Sequence, residues 1–291
     1  MEPTKELVAV PGATLWTARQ GSGPALVLCH GGPGLWDYLG PVACMVDDLA
    51  TVYRYDQRAC GRSSGEADYD LAAAIADLEA LRAHWGLASW IVGGHSAGAT
   101  LALAYFLMYP RETAGLIYLC GTGLGDAWHA EYRANHDARL MPDERARLDE
   151  LPQQRARAER DGNGAEYAAL DREYCTLAWS TDLADRANAR ALARTLFVGD
   201  LLPNYTVNGL LGAALDRFTA RADLPARLAA LDLPALIVHG AGDPRPAWCV
   251  YQLAGLLPRA RLAILPGAGH LPWLDGSTEL RAVLRRFLAR S

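Results

Sequence analysis

The chain lacks a long hydrophobic run. Its most continuous apolar stretch, Leu101 to Tyr109, is far shorter than the roughly 20 residues that cross a bilayer. The opening Met1-Glu2-Pro3-Thr4-Lys5-Glu6-Leu7 has no basic segment leading into an apolar one. A secretory leader is therefore not expected, and a cytoplasmic location is. Positive charge is not in excess: 28 Lys and Arg stand against 33 Asp and Glu, for a net charge of −5. With no Lys/Arg run either, nucleic acid and anionic membrane are not expected partners. Paired cysteines are also missing. Cys29, Cys44, Cys60, Cys120, Cys175 and Cys249 are scattered and form no C-x-x-C. They read as reduced thiols, several buried as small hydrophobes, and not as a disulfide framework. The histidines are equally dispersed, so no metal-ligand spacing is seen, and no metal or organic cofactor is expected. Internal repeats and low-complexity linkers are absent as well.

What is present suits one large core with room for an insertion: 51% of the 291 residues are hydrophobic and 21% charged. Strand and helix patterns alternate. Thr14 to Arg19 reads as an early strand. Ala25-Leu26-Val27-Leu28-Cys29 is the continuous apolar run of a strand buried on both faces, and Thr51 to Tyr55 is the next strand. Asp37 is placed to cap a short helix leading to Leu49. Tyr69 to Trp85 is apolar at helical spacing and stops at Gly86. Trp90 to Gly93 is a strand, Ala97 to Tyr109 a helix apolar nearly all round, and Leu116 to Cys120 a further strand. This alternation predicts an α/β fold with a mostly parallel sheet flanked by helices.

After Gly125 the strand signals vanish. Charged, Arg- and Ala-rich helical patterns take over, such as Asp143 to Arg160 and Glu166 to Ala178, until Leu236 to Gly240 resumes the alternation. A strand at Arg261 to Leu265 and helices at Pro246 to Leu257 and Thr278 to Leu288 follow. The expected organisation is a core of residues 1–125 and 223–291, interrupted by a helical cap at 126–222.

The chain's chemistry centres on Gly94-His95-Ser96-Ala97-Gly98. This is G-x-S-x-G, set between a strand and a helix. A strand reversing sharply into a helix needs small neighbours on both sides, which Gly94 and Gly98 supply. The turn presents Ser96 Oγ above the sheet, with the new helix's free N–H groups beside it. A serine hydroxyl is a poor nucleophile alone and requires a base with an orienting partner. His270, after the last strand, is the candidate base. Asp243, after the penultimate strand, is the candidate acid, with Asp126 as its fallback. Taken singly, Asp243 also suits a turn residue ahead of Pro244, and His270 a solvated loop histidine. The oxyanion hole is assigned to the N–H groups of Ala97 and Gly32, the latter in His30-Gly31-Gly32-Pro33-Gly34. His30 reads as an anchor for that loop, His95 as packing beside the serine, and His239 as a satisfied core histidine.

These residues make the sequence similar to the α/β-hydrolase superfamily over nearly its whole length. Within it, three features make the chain resemble the proline iminopeptidase group. They are His30-Gly31-Gly32-Pro33-Gly34, the run Asp56-Gln57-Arg58-Ala59-Cys60-Gly61-Arg62-Ser63, and the helical insertion with Trp179-Ser180-Thr181-Asp182. The resemblance implies hydrolysis of a small molecule or short peptide through an acyl-enzyme, with the insertion shaping the pocket. Those peptidases carry Gly-Gly-Ser-Trp-Gly at the nucleophile and an acid after a cap tryptophan. Here the order is Gly-His-Ser-Ala-Gly, and Ser180 follows Trp179. Gly31, His95, Glu166, Glu173 and Trp179 are the candidate substrate contacts, the two glutamates being possible holders of a substrate ammonium. Without a carboxylate in the pocket, neutral esters, lactones, thioesters or amides are expected, because an unpaired ammonium is costly to bury. An aminopeptidase releasing N-terminal proline is the alternative, and a non-hydrolytic binder or cyclase on the same scaffold is a third.

Overall fold

A computed structural model describes residues 2–65 and 69–290. Eight strands form one sheet: β1 (Thr4–Val10), β2 (Ala13–Gly21), β3 (Ala25–Cys29), β4 (Thr51–Tyr55), β5 (Trp90–His95), β6 (Thr113–Leu119), β7 (Ala235–Gly240) and β8 (Ala260–Leu265). Their spatial order is β1-β2-β4-β3-β5-β6-β7-β8. β2 runs antiparallel to β1 and β4, and the pairs from β4 to β8 are parallel.

Burial explains the strand patterns. β5 and β7 are buried at every residue and β3 at all but its first, so each reads as an unbroken apolar segment. β1 escapes the sequence reading because it is the edge strand. Only Val8 and Val10 are buried along it, which leaves almost no alternation to detect.

The two faces of the sheet are covered separately. On one, α2 (Leu71–His84) and α3 (Ala97–Met108) pack through Leu78, Leu81, Leu101, Tyr105 and Phe106 against Val27, Val92 and Tyr118. On the other, α1 (Gly40–Cys44) and α12 (Ser277–Leu288) bring Val42, Leu280 and Leu284 against Leu28, Ile91 and Ile117. Asp70 caps α2 by accepting from the Ala73 N–H at 2.8 Å. Asp37 does not cap α1 as expected. Its carboxylate accepts from the Leu39 N–H at 3.0 Å and pairs, buried, with Arg54 of β4. A buried cation needs that partner more than a helix end does.

Between β6 and β7 lie α4 (Trp128–Asp137), α5 (Pro142–Arg160), α6 (Gly164–Ser180), α7 (Ala189–Arg194), α8 (Tyr205–Thr219) and α9 (Leu224–Ala229), with no strand among the described residues. α10 (Trp248–Leu256) and α11 (Pro272–Asp275) complete the described helices. No helix among the described residues is long and apolar enough to cross a membrane. The loops after β3, β4, β5, β7 and β8 leave the carboxyl ends of parallel strands, where open α/β sheets place ligands.

A tight backbone crossing lies at Gly98. A Cβ there would collide with the carbonyl oxygens of Cys29 and His30, whereas one on Gly212, inside α8, would meet nothing within 4 Å. Gly98→Ala should therefore lower unfolding free energy by about 2 kcal/mol or more. Gly212→Ala should raise it by about 0.5–1 kcal/mol. Urea midpoints that move equally for the two variants would contradict this packing.

Candidate active site

Ser96 joins β5 to α3 with φ +56° and ψ −124°, a left-handed conformation outside the helical and strand regions. A non-glycine residue held there costs about 1–3 kcal/mol, which the surroundings must offset. They do so by close packing and hydrogen bonding. The Ser96 N–H donates to Leu119 O at 2.9 Å, and a Cβ on Gly94 would overlap the Gly98 carbonyl. The Ala97 and Gly98 N–H groups open α3 and have no partner one turn earlier. Gly32 has φ +122° in the loop after β3, and its N–H makes no hydrogen bond among the described residues. Gly31 packs so closely on the turn that a Cβ would lie 2.9 Å from Ser96 Cβ.

Asp56-Gln57 fixes that loop from the side. The Gln57 N–H donates to His30 Nε2 at 3.0 Å, and Gln57 Nε2 donates to His30 O at 2.6 Å. His30 Nε2 is thereby an acceptor, which leaves Nδ1–H to donate to Gly31 O at 2.8 Å. Asp56 in turn accepts from the Asp37 N–H at 2.6 Å and pairs with Arg62 at 2.7 Å.

His270 Nδ1 lies 2.6 Å from Asp243 Oδ2, both buried. Burial works to raise the Asp243 pKa. The facing His270, Arg245 and His239 nevertheless hold it well below the usual carboxylate range. Asp243 also accepts from the Arg245 N–H at 2.8 Å, with the Arg245 guanidinium 3.4 Å away. That guanidinium reaches Asp182 at 2.5 Å, and the Asp182 carbonyl accepts from the His270 N–H at 2.6 Å. Residues following α6 thus touch both loops. Arg139 adds donations to Thr181 O at 2.6 Å and Gly242 O at 2.7 Å. Asp126 is exposed at the start of the helical segment; its carbonyl accepts from the His129 N–H at 3.1 Å, and its carboxylate bonds no histidine ring among the described residues.

His95 ties three elements together. Its Nε2 lies 2.8 Å from His270 O, which can only accept, so Nε2 carries the proton. Its Nδ1 is then an acceptor for the Tyr38 hydroxyl at 2.7 Å, and the Tyr38 oxygen accepts from the Gly31 N–H at 2.8 Å. One directed chain therefore runs from the loop after β3, through the serine turn, to the backbone of His270.

Ser96, His95, His270, Gly32 and Trp179 line one cavity of about 320 Å³. Glu166 and Glu173 do not line it. Glu166 is exposed and bonds Asn163, whose side chain caps α6, while Glu173 pairs with Arg147 at 2.7 Å in a separate groove. Helical phase turns both carboxylates away. The cavity's own acid is Asp182, already held by Arg245. The sequence reading passed over Tyr38, Arg245 and Asp182 as site residues, because each reaches the site only through tertiary approach. The one local signal was the adjacency of Arg245 to Asp243. His95, Cys120 and His270, and likewise Cys120, His239 and Asp243, place possible metal-ligating atoms within 4.8 Å of one another. His95, His270 and Asp243 are already hydrogen-bonded, His239 bonds Arg245 O through Nε2 while its buried Nδ1 has no hydrogen-bond partner among the described residues, and burial pushes the Cys120 thiol well above its usual range.

Burial holds His30, His95 and His239 below the ordinary histidine value of 6.5. The unfolded chain takes up protons that these folded rings refuse, so stability is full above about pH 6.5 and falls as pH drops below it. Asp243, also depressed, adds a separate loss below about pH 4. His95→Gln removes one refusing group. Between pH 5 and 6.5 the slope of unfolding free energy against pH should shrink by up to about 1.4 kcal/mol per unit. An unchanged slope from denaturant titrations would refute a buried neutral His95.

A family model described as the alpha/beta hydrolase fold matches residues 24–277. Proline iminopeptidase of Xylella fastidiosa is 30% identical over 276 aligned positions, covering 85% of this chain and 83% of the relative. Proline iminopeptidase of Lactiplantibacillus plantarum is 29% identical over 289 positions, covering 93% and 94%. Among solved structures, a thermophilic esterase from Thermogutta terrifontis superposes with a TM-score of 0.70 at 22% identity, covering 100% of this chain and 99% of that one. The architecture, the match over most of the chain and these relatives lead to one assignment: the chain belongs to the alpha/beta hydrolase fold family and is a hydrolase of its proline iminopeptidase-like group.

Proposed function

We propose that the chain is a serine hydrolase that cleaves a small ester, lactone, thioester or amide through an acyl-enzyme on Ser96. The observation that carries this reading is the 2.6 Å bond between His270 and a buried, ionised Asp243, with His270 and Ser96 lining the same cavity. Ser96 Oγ attacks the carbonyl carbon as His270 Nε2 takes its proton. The imidazolium so formed is stabilised by Asp243 and delivers the proton to the leaving atom. The carbonyl oxygen, now negative, is received by the N–H groups of Gly32 and Ala97. Water then repeats the sequence, and the acid product leaves. The helical segment at 126–222 acts as a cap, supplying Trp179, Tyr205 and Tyr132 to the cavity wall. Residues 1–125 and 223–291 form the core beneath it.

A second reading, an aminopeptidase releasing N-terminal proline, is favoured by the names of the relatives. Against it, Glu166 and Glu173 lie outside the cavity, and Asp182 is occupied by Arg245. A non-hydrolytic binder or cyclase on the same scaffold leaves the directed hydrogen bonding around His270 without a purpose.

The test is a side-by-side assay on short-chain p-nitrophenyl esters and prolyl-naphthylamide. Ester turnover should dominate. Ser96→Ala, His270→Ala and the double variant should each lose a similar amount, on the order of 10⁴-fold or more in kcat/KM. Losses that add, or a Ser96 inert to fluorophosphonate, would sink the mechanism. Prolyl-amide turnover exceeding ester turnover would replace the first reading by the second.

A further inference from the structure

Asp275 ends α11, a short turn that begins just after His270. Its Oδ1 accepts from the Gly269 N–H at 3.0 Å, and its Oδ2 accepts from the Ala184 N–H at 2.7 Å. Neither N–H has another acceptor among the described residues. No Lys, Arg or His pairs with Asp275 among them either. Both oxygens are used as acceptors, as an ionised carboxylate uses them. Burial pushes the Asp275 pKa up, and the donations from Gly269, Ala184 and Asp185 oppose that rise. The turn itself is fixed. Trp273 stacks on Tyr38 and meets His95 edge-on, with ring centroids 5.7 and 4.7 Å apart.

Two chain segments meet at this carboxylate. Gly269 stands directly before His270, and Ala184 lies two positions after Asp182. Between them runs the bond from the His270 N–H to Asp182 O at 2.6 Å. The contact is backbone on backbone, since a Cβ on Gly269 would lie 2.3 Å from Asp182 O. Asp275 therefore adds a bond on each side of the one that holds the His270 peptide. Arg139 does the matching work for the acid, tying Thr181 O to Gly242 O in the loop that carries Asp243. One short stretch, 181–184, is thus fastened to the loops of both partners in the 2.6 Å bond between His270 and Asp243.

We infer that Asp275 is a positioning residue for the base: its carboxylate locks residues 182–184 to the loop that carries His270, and so sets where the imidazole stands between Asp243 and Ser96. This rests on the acyl-enzyme reading above. Asp275 touches no reacting atom and acts only through His270. Without it, the Gly269 and Ala184 N–H groups lose their acceptor and must find water. Water between the two segments parts them, and the His270 peptide moves with the gap. A displacement of about 1 Å at a catalytic group costs on the order of 100-fold in rate. The loss depends on the leaving group. His270 first takes the Ser96 proton and then gives it to the departing oxygen. An alkoxide needs that proton to leave, whereas p-nitrophenolate leaves without it. A misplaced imidazole therefore slows alkyl esters more than nitrophenyl esters.

The experiment measures kcat/KM on the p-nitrophenyl, trifluoroethyl and ethyl esters of acetic acid, together with the proton NMR signal of His270 Nδ1–H. A proton shared over 2.6 Å with a carboxylate resonates far downfield, so the signal reports the His270–Asp243 contact without any turnover. Asp275→Asn keeps the side chain's shape but offers one oxygen to two N–H groups and turns an NH2 toward the other. It should cost about tenfold on the nitrophenyl ester and on the order of 100-fold on the ethyl ester, with the trifluoroethyl ester between. The downfield signal should move upfield or be lost to exchange. Asp275→Glu keeps the charge on a longer arm and should show the same gradient at smaller size. Ile75→Val, which thins the core under α2, is the stability control and should keep the wild-type gradient and signal. A loss equal for all three alcohols with an unmoved signal would reduce Asp275 to a structural role and overturn the inference, as would the same gradient in Ile75→Val. If Asp275→Asn does not fold, Asp275→Glu decides, and a wild-type gradient and signal in it overturn the inference. If the wild-type protein shows no Ser96-dependent turnover, the acyl-enzyme reading falls by itself. The signal then still decides whether Asp275 places the ring: moved in Asp275→Asn it upholds the lock, and unmoved it overturns it.

Discussion

Three backbones meet where α3 leaves β5, and the rest of the site depends on that crossing. Gly98 sits against the carbonyls at the end of β3, and Gly94 sits against Gly98. This lack of space forces Ser96 into its left-handed conformation. It also brings the loop after β3, with Gly31 and Gly32, beside the first turn of α3. The proposed nucleophile and the two N–H groups proposed to face its product thus share a single steric origin. Side chains at either glycine would push the loop and the turn apart together.

Around that crossing, charge is arranged so that one buried carboxylate stays ionised. Asp243 gains a backbone donor and a guanidinium from Arg245 and a ring donor from His270. Arg245 would itself be an expensive buried cation without Asp182. The result is a chain of alternating charges, Asp182, Arg245, Asp243, that ends at the His270 imidazole. His95 contributes no charge. Held neutral by burial, it sets the direction of a hydrogen-bond relay from Gly31 to His270.

Much of this was legible in the residues alone, and the remainder was hidden for definable reasons. β3 was legible with its observed bounds because a strand buried on both faces lacks polar interruptions, and β4 because its β-branched and aromatic residues outweigh the one interruption at Arg54. The elbow was legible because its glycines, serine and following helix are contiguous. His270 and Asp243 could be picked out because each follows a strand in a sheet whose topology fixes chain order. β1 was not visible, since an exposed edge strand shows little alternation. Glu166 and Glu173 were misjudged because helical phase relative to a distant cavity is a tertiary property. Asp182 reaches the cavity from just beyond the end of α6, and no local pattern marks it as a site residue. Tyr38 looked like one more aromatic residue near a short helix, and only the fold shows that its hydroxyl spans Gly31 and His95.

The bond between the His270 N–H and the Asp182 carbonyl has a further consequence. Asp182 belongs to the helical excursion between β6 and β7, whereas His270 belongs to the sheet's last loop. The part of the chain that shapes the cavity wall is therefore fastened to the same peptide that carries the imidazole. Loops of this kind ordinarily drift in length and sequence as specificity diverges, but a change in length at residue 182 would unseat the proposed base. The excursion is pinned there, and again where Arg139 donates to Gly242 O and where Asn204 and Asn208 hold the loop after β3. It resembles a suspension bridge more than a lid, with its piers standing on the loops that line the site and the spans between them available for change.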